Sequence, residues 1–248
     1  MKISKNACSG LVLIVFVLLF AASATEKKLF YQSYRAMPEN GTLSKNDITF
    51  EDENCLIRYN LWAEGGDAGF SVFNKTPGFL KIDLEKSFFV INGVAFPYFQ
   101  NRTFTTGYDP VSYLPSVTKE EMPTRIIPPH TSVKITEYSI TDQFYADSTL
   151  FKYPSKNQIK ARTFEKSTSP FVFYNLISYS FNGVEKIQEN RFYVSEIKNL
   201  PDDEMTGKDT IKENAEQTKR TVEIYKDAPA NGFFIKYEKE VASSSLGL

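Results

Sequence analysis

Period-two patterning, hairpin-forming turns at short intervals and an aromatic-rich composition predict an all-β chain, folded as an antiparallel sandwich or barrel. Residues 54–62 carry the first signal. Successive side chains on a strand point to opposite faces, so Cys55, Ile57, Tyr59 and Leu61 share one face. Arg58 and Asn60 lie on the other, with Leu56 and Trp62 at its ends. The second signal is the pair of Asn-Gly dipeptides, Asn92-Gly93 and Asn182-Gly183, because a two-residue hairpin turn needs φ > 0 at its central positions. The third is composition: 21 Phe and 14 Tyr help bring aromatics to 15%, and such residues favour pleated, half-buried surfaces.

Taken in order, the chain opens with Lys2 and Lys5, an apolar run over 11–22 and the small-x-small tripeptide Ala22-Ser23-Ala24. That order is a secretory signal peptide cut between Ala24 and Thr25, and its apolar run is short of the ~20 residues a membrane span needs. An uncleaved anchor is the rival reading. Cys8 precedes the apolar run, whereas a lipoprotein carries its cysteine just after it, so no lipid anchor is expected. Residues 1–24 are thus the leader, 25–240 one sandwich domain and 241–248 a mobile, Ser-rich tail. The expected location is secreted or periplasmic, within the cell envelope, with no membrane span left after cleavage.

Loss of the leader leaves Cys55 as the one thiol, so no intrachain disulfide forms and the core must hold the fold. Its place on an alternating apolar face makes Cys55 a small buried hydrophobe. A chain of this size buries roughly 70% of its unfolded surface, which is enough. The 29 basic and 30 acidic residues fall to 27 and 30 once Lys2 and Lys5 are gone, a net charge of −3. A nucleic-acid partner would need a clustered basic excess, and none is present.

The strands follow. Residues 29–34 form the first, closed by Pro38-Glu39-Asn40-Gly41. After 54–62, Glu64-Gly65-Gly66-Asp67 supplies a reversal and 70–73 return. Asn74-Lys75-Thr76-Pro77-Gly78 turns into 80–84, where Leu80, Ile82 and Leu84 alternate with polar residues. Residues 88–91 make a further strand and 94–98 another, which Pro97 places at an edge or bulge because proline cannot donate to a ladder. Residues 100–124 lose the rhythm. Such long excursions inside compact domains are functional or disordered, and Tyr108, Tyr113 and Leu114 stand out in this one as apolar residues without a face to join. Pro128-Pro129 separates a strand at 125–127 from another at 133–138. Residues 151–153 and 158–164 read as a weak, lysine-rich edge ribbon. A long aromatic strand over 171–181 returns through 184–194 and closes at 195–201. The capping box Thr210-x-x-Glu213, with Lys212 and Glu216 one turn apart, predicts one surface helix over 211–222. Residues 233–237 form the last strand.

The segment Phe50-Glu51-Asp52-Glu53-Asn54, then Tyr59-Asn60-Leu61-Trp62-Ala63-Glu64-Gly65-Gly66 and Phe73-Asn74-Lys75-Thr76, resembles a family of secreted or lipid-anchored proteins of the Bacteroidota. The likeness continues through Ile82-Asp83, Ser87-Phe88, Asn92-Gly93, Ile127-Pro128-Pro129, Phe192-Tyr193-Val194 and Phe234-Ile235-Lys236-Tyr237. The resemblance implies an immunoglobulin-like antiparallel β-sandwich in the cell envelope, and it brings no activity with it. This chain departs from many members in lacking a lipobox.

Catalytic chemistry finds few candidates. His130 is the one histidine, it follows Pro128-Pro129 where an exposed turn residue is expected, and there is no Gly-x-Ser-x-Gly. One thiol and one imidazole cannot build a zinc site. The runs Glu51-Asp52-Glu53 and Asp202-Asp203-Glu204 lack calcium-loop spacing and read as solvated turns. Gly65-Gly66-Asp67-Ala68-Gly69 lacks the Lys-Ser/Thr of a phosphate loop. Asn40, Asn74 and Asn101 each open an Asn-x-Thr sequon, a pattern without consequence in a bacterial envelope. No catalytic, metal or cofactor-binding residue is assigned, and no cofactor is expected. Ligand contact falls to Tyr108, Tyr113 and Trp62, aromatics able to stack on sugar rings, with core packing the favoured role for Trp62. The leading expectation is an exported, non-catalytic module that binds a glycan or surface ligand. The alternatives are a structural envelope part pairing with a partner protein through a sheet edge, and a carboxylate-based hydrolase. Oligomeric state is left open.

Overall fold

In Cys55–Tyr59 the buried side chains of Cys55, Ile57 and Tyr59 alternate with the more exposed Leu56 and Arg58, and Leu61 beyond the strand end is fully buried. The same alternation recurs along the chain of this computed structural model, which describes residues 25–105, 118–213 and 218–242. Ala24 with the rest of the leader, Tyr108, Tyr113 and residues 243–248 lie outside the described residues.

The strands are β1 (Thr25–Pro38), β2 (Thr42–Leu43), β3 (Ile48–Glu51), β4 (Cys55–Tyr59), β5 (Phe70–Asn74), β6 (Leu80–Ile91) and β7 (Val94–Pro97). They continue with β8 (Thr103–Thr105), β9 (Thr118–Glu120), β10 (Thr124–Ile127), β11 (Ser132–Ile135), β12 (Ala161–Thr163), β13 (Val172–Phe181) and β14 (Val184–Pro201). A single helical turn α1 (Asp202–Met205), β15 (Thr206–Glu213), β16 (Thr218–Tyr225) and β17 (Gly232–Ala242) complete the order. One sheet runs β10-β6-β13-β14-β1-β17, with β7 also on β6 and β12 also on β14. A second runs β11-β5-β4-β3-β2, and β8-β9 and β15-β16 are separate two-stranded ribbons. The chain is thus all-β, with antiparallel pairing throughout these ladders.

The inner faces of the two large sheets share one apolar core. Phe50 and Tyr59 of the smaller sheet meet Phe192 of the larger at ring-centroid distances of 5.3 and 5.1 Å. Phe192 is stacked on Phe173 at 5.0 Å, so one aromatic column crosses both layers. Buried apolar area drives this association without direction, whereas the polar groups inside fix the register. Tyr98 donates to Asn175 Oδ1 at 2.6 Å, and Asn190 Nδ2 donates to the Tyr59 hydroxyl at 2.8 Å.

Two of the connections that carry the chain between the sheets run from β5 to β6 and from β10 to β11. Buried Asn74 ties them together. Its amide donates to Gly78 O at 2.8 Å, Ile127 O at 3.0 Å and Pro128 O at 3.1 Å, while its Oδ1 accepts from the Thr76 N–H and hydroxyl. In the second connection His130 is exposed with φ at 55°, as its turn role requires.

The hairpin signals are realised. Asn92 and Gly93 have φ of 47° and 82°, and Asn182 and Gly183 have φ of 51° and 79°. Gly65 and Gly66 also take positive φ, 75° and 77°. Pro97 lies in β7, an edge strand paired to β6. Residues 80–84 and 88–91, expected as separate strands, belong to one strand interrupted by a bulge. There Asp83 Oδ1 accepts from the N–H of Glu85 and Lys86, and Ser87 Oγ accepts the N–H of Ser178.

The expected helix over 211–222 is overturned: residues 211–213 and 218–222 belong to the β15-β16 ribbon. The capping-box pattern is local, and the segment has only Ile211, Ala215 and Val222 to bury on a helical face. Thr210, Thr218, Thr221, Val222 and Ile224 are β-branched and favour the extended backbone. The helix near the C-terminus is instead α1, four residues long, with Met205 buried. The edge ribbon expected at 151–164 reduces to β12, which pairs with β14 rather than with 151–153. Residues 195–201 continue β14. Among the described residues no helix is long and apolar enough to cross a membrane.

Candidate functional site

The excursion after β7 leaves the sheets and returns through the β8-β9 ribbon, whose base is closed by charge. Glu121 donates its N–H to Arg102 O at 2.7 Å. Its Oε2 accepts the N–H groups of Gln100 and Arg102 at 2.9 and 3.2 Å, and its Oε1 accepts Arg102 Nη2 at 2.7 Å. The same guanidinium grips Glu137, just beyond β11, with Nη1 to Oε1 at 2.5 Å and Nη2 to Oε2 at 2.9 Å. A planar fork matches a carboxylate with two parallel bonds, a geometry lysine cannot reproduce. One arginine therefore clasps the ribbon to the smaller sheet.

Electrostatics follow from this geometry. The Glu121 side chain is 3% exposed. Burial alone would raise its pKa, but hydrogen bonds from Arg102 and from the backbone N–H groups of Gln100 and Arg102 outweigh it and hold the group at about 2. The bonds that Arg102 donates to Glu137 and Glu121 in turn raise its own pKa. Arg102 Nε is buried with no hydrogen-bond partner among the described residues.

Beside the clasp lies a cavity of about 340 Å³. Leu84 of β6, Tyr98 and Ile135 of β11 give it apolar lining, so it sits where the edges of the two sheets approach. Thr136 and the clasp residues add polar lining, and Phe104, Arg125 and Lys134 complete it. A mixed lining with a few fixed polar groups is the usual make-up of a ligand site. Glu121 and Glu137 are two carboxylates in one cavity, the arrangement sought for a hydrolase. A general acid needs a pKa raised toward the working pH, and that of Glu121 lies at the opposite extreme.

Of the contact residues expected from the sequence, Trp62 is the one described, and it does not line this cavity. Trp62 packs against Tyr225 and Phe234 at centroid distances of 5.4 and 5.2 Å, within a satellite cluster that includes Tyr31 and Met205. A Cβ at Gly232 would come within 3.2 Å of its indole, so close approach of that backbone seats the ring. The half-buried Trp62 also lines a groove of about 290 Å³ with Leu200 and Met205, remote in sequence from the Arg102 clasp. Tyr108 and Tyr113 fall between the described strands β8 and β9.

Cys55 is fully buried, and burial followed by the nearby Asp52 pushes its thiol up to about 12, which leaves it unreactive. In the run Glu51-Asp52-Glu53, Asp52 Oδ1 accepts the N–H of Asn54 and Cys55, and Tyr179 donates to Asp52 Oδ2. Glu51 meets Lys75, and Glu53 meets Lys186. In the second acidic run Glu204 pairs with Lys156. Among the described residues no group of three or more His, Cys, Asp or Glu is placed to hold a metal ion. Neither family models nor curated proteins nor solved structures gave a match to this chain.

Proposed function

We propose that the protein is an exported, non-catalytic binding module of the cell envelope, secreted or periplasmic, with an immunoglobulin-like sandwich fold and its ligand site in the cavity beside Arg102. The observation that carries this reading is the clasp. Its arginine and both its carboxylates are committed to one another, which holds the wall of the cavity in place. Export draws on the order of basic, apolar and small residues in 1–24. The immunoglobulin-like assignment draws on two antiparallel sheets over a shared core, together with the sequence resemblance.

A ligand present at a hundred times its Kd stabilises the folded state by about 2.7 kcal/mol. Thermal unfolding of the purified protein against a panel of neutral and acidic saccharides should therefore show an upward shift of several degrees for the cognate class. Mass spectrometry should recover the ligand unchanged. Turnover of the ligand, or a flat response across the panel, would count against the reading. A second reading, a structural part that pairs through a sheet edge, draws on edge strand β7, where Val94 and Phe96 are 56% and 39% exposed.

A further inference from the structure

We infer that the cavity beside Arg102 takes a carboxylate-bearing sugar, its acid group held by Arg125 and Lys134; this deepens the binding reading above and rests on it. Three cations and two carboxylates line the cavity, and both carboxylates are engaged by Arg102. Arg125 and Lys134 are differently placed. Among the described residues Arg125 reaches no carboxylate, and Nη1 donates to Met122 O only at 3.4 Å. Lys134 has Asp67 at 4.0 Å, with its side chain 69% exposed. The cavity thus offers two positive groups whose best partner is a further anion, and a carboxylate satisfies a guanidinium fork and an ammonium together.

The remaining lining selects a sugar over an apolar acid. Leu84, Tyr98, Phe104 and Ile135 are its aliphatic and aromatic lining, and the other six lining residues are polar or charged. Ring hydroxyls can donate to the lone pairs that Arg102 leaves open on Glu137 and exchange bonds with Thr136, whereas an apolar group would strip water from these atoms and replace none of its bonds. Phe104 is 51% exposed, with the Arg102 guanidinium carbon 5.5 Å from its ring centroid, so it offers a surface for the C–H face of a pyranose. A volume of about 340 Å³ is at the small end for ligand sites and suits a short unit rather than a long chain.

The test is calorimetric titration of the full purified protein with three acidic probes: trigalacturonate, a glucuronate disaccharide and N-acetylneuraminate. Each is paired with its methyl ester, which keeps the shape and removes the charge. At least one acid should bind, its ester at least tenfold more weakly, and binding should weaken as NaCl is raised. Arg125→Gln and Lys134→Met should each lower affinity tenfold or more while leaving the thermal midpoint within a degree or two, which separates lost recognition from lost folding. An ester as tight as its acid, or affinity untouched in both variants, overturns the acidic-sugar assignment while leaving the binding reading intact. Failure of all three acids, with neutral saccharides still shifting the midpoint, does the same. Failure of every saccharide overturns both.

Discussion

Glu121 is the buried charged residue on which the cavity wall depends, and its behaviour in acid can be worked out by sign. Its pKa is held at about 2, below the ordinary value of 4.5 for an unfolded chain. The folded state therefore binds fewer protons than the unfolded state across that window. The resulting stabilisation is fully present above about pH 5 and is lost as pH falls toward 2. Urea unfolding followed from pH 6 to pH 3 should show a steady loss of stability in the native chain. Glu121→Gln should start less stable at neutral pH, because one oxygen acceptor becomes a donor facing Arg102, and should lose less on acidification. Equal acid slopes in the two proteins would mean that Glu121 is not the group responsible.

The turns between elements show how much backbone geometry alone contributes. Gly93 and Gly183 have φ of 82° and 79°, and a Cβ added to either meets nothing within 4 Å. Gly93→Ala and Gly183→Ala should therefore cost only the left-handed backbone term, about 1–2 kcal/mol each. Gly66 has a similar φ of 77°, but there a Cβ would lie 2.7 Å from Ile140 Cδ1 and 3.0 Å from Phe233 Cγ. Gly66→Ala adds overpacking of about 1–3 kcal/mol to the same backbone term and should be clearly the worst of the three. Chemical denaturation of the three variants checks the order, and three equal losses would remove the packing part of the argument.

Across the whole molecule the two large sheets are held by their common apolar core, with Phe192 in contact with Phe50 and Tyr59 on the opposing layer. Phe192→Ala removes a ring that is 0% exposed and should cost about 3–5 kcal/mol. That is a large share of the stability of an ordinary domain, so the thermal midpoint should fall by roughly 10 °C. Truncation of Ile187, 69% exposed on β14, should leave it almost unmoved and serves as the control. A comparable midpoint for both variants would show that the sheets are not joined through this aromatic column.

The sequence by itself determined which faces of the strands are buried and where the chain reverses. The alternation of Cys55, Ile57, Tyr59 and Leu61, the two Asn-Gly turns and the edge position of Pro97 all depend on residues next to one another in the chain, and a period of two is readable at that range. A local signal also misled: the capping box at Thr210 and Glu213 belongs to a ribbon, because cross-strand pairing of β-branched residues outweighs a helix with no apolar stripe to bury. Tertiary structure alone decided the site. Arg102 meets Glu121 and Glu137 from 19 and 35 residues away, with no spacing between them that a motif could express. Trp62 packs into the cluster around Phe234, the role favoured for it from the sequence, but its partners Tyr225 and Phe234 are distant in the chain. Contacts between distant segments are set by how sheets twist, bulge and close over a core, and only the folded chain brings those charges to one wall.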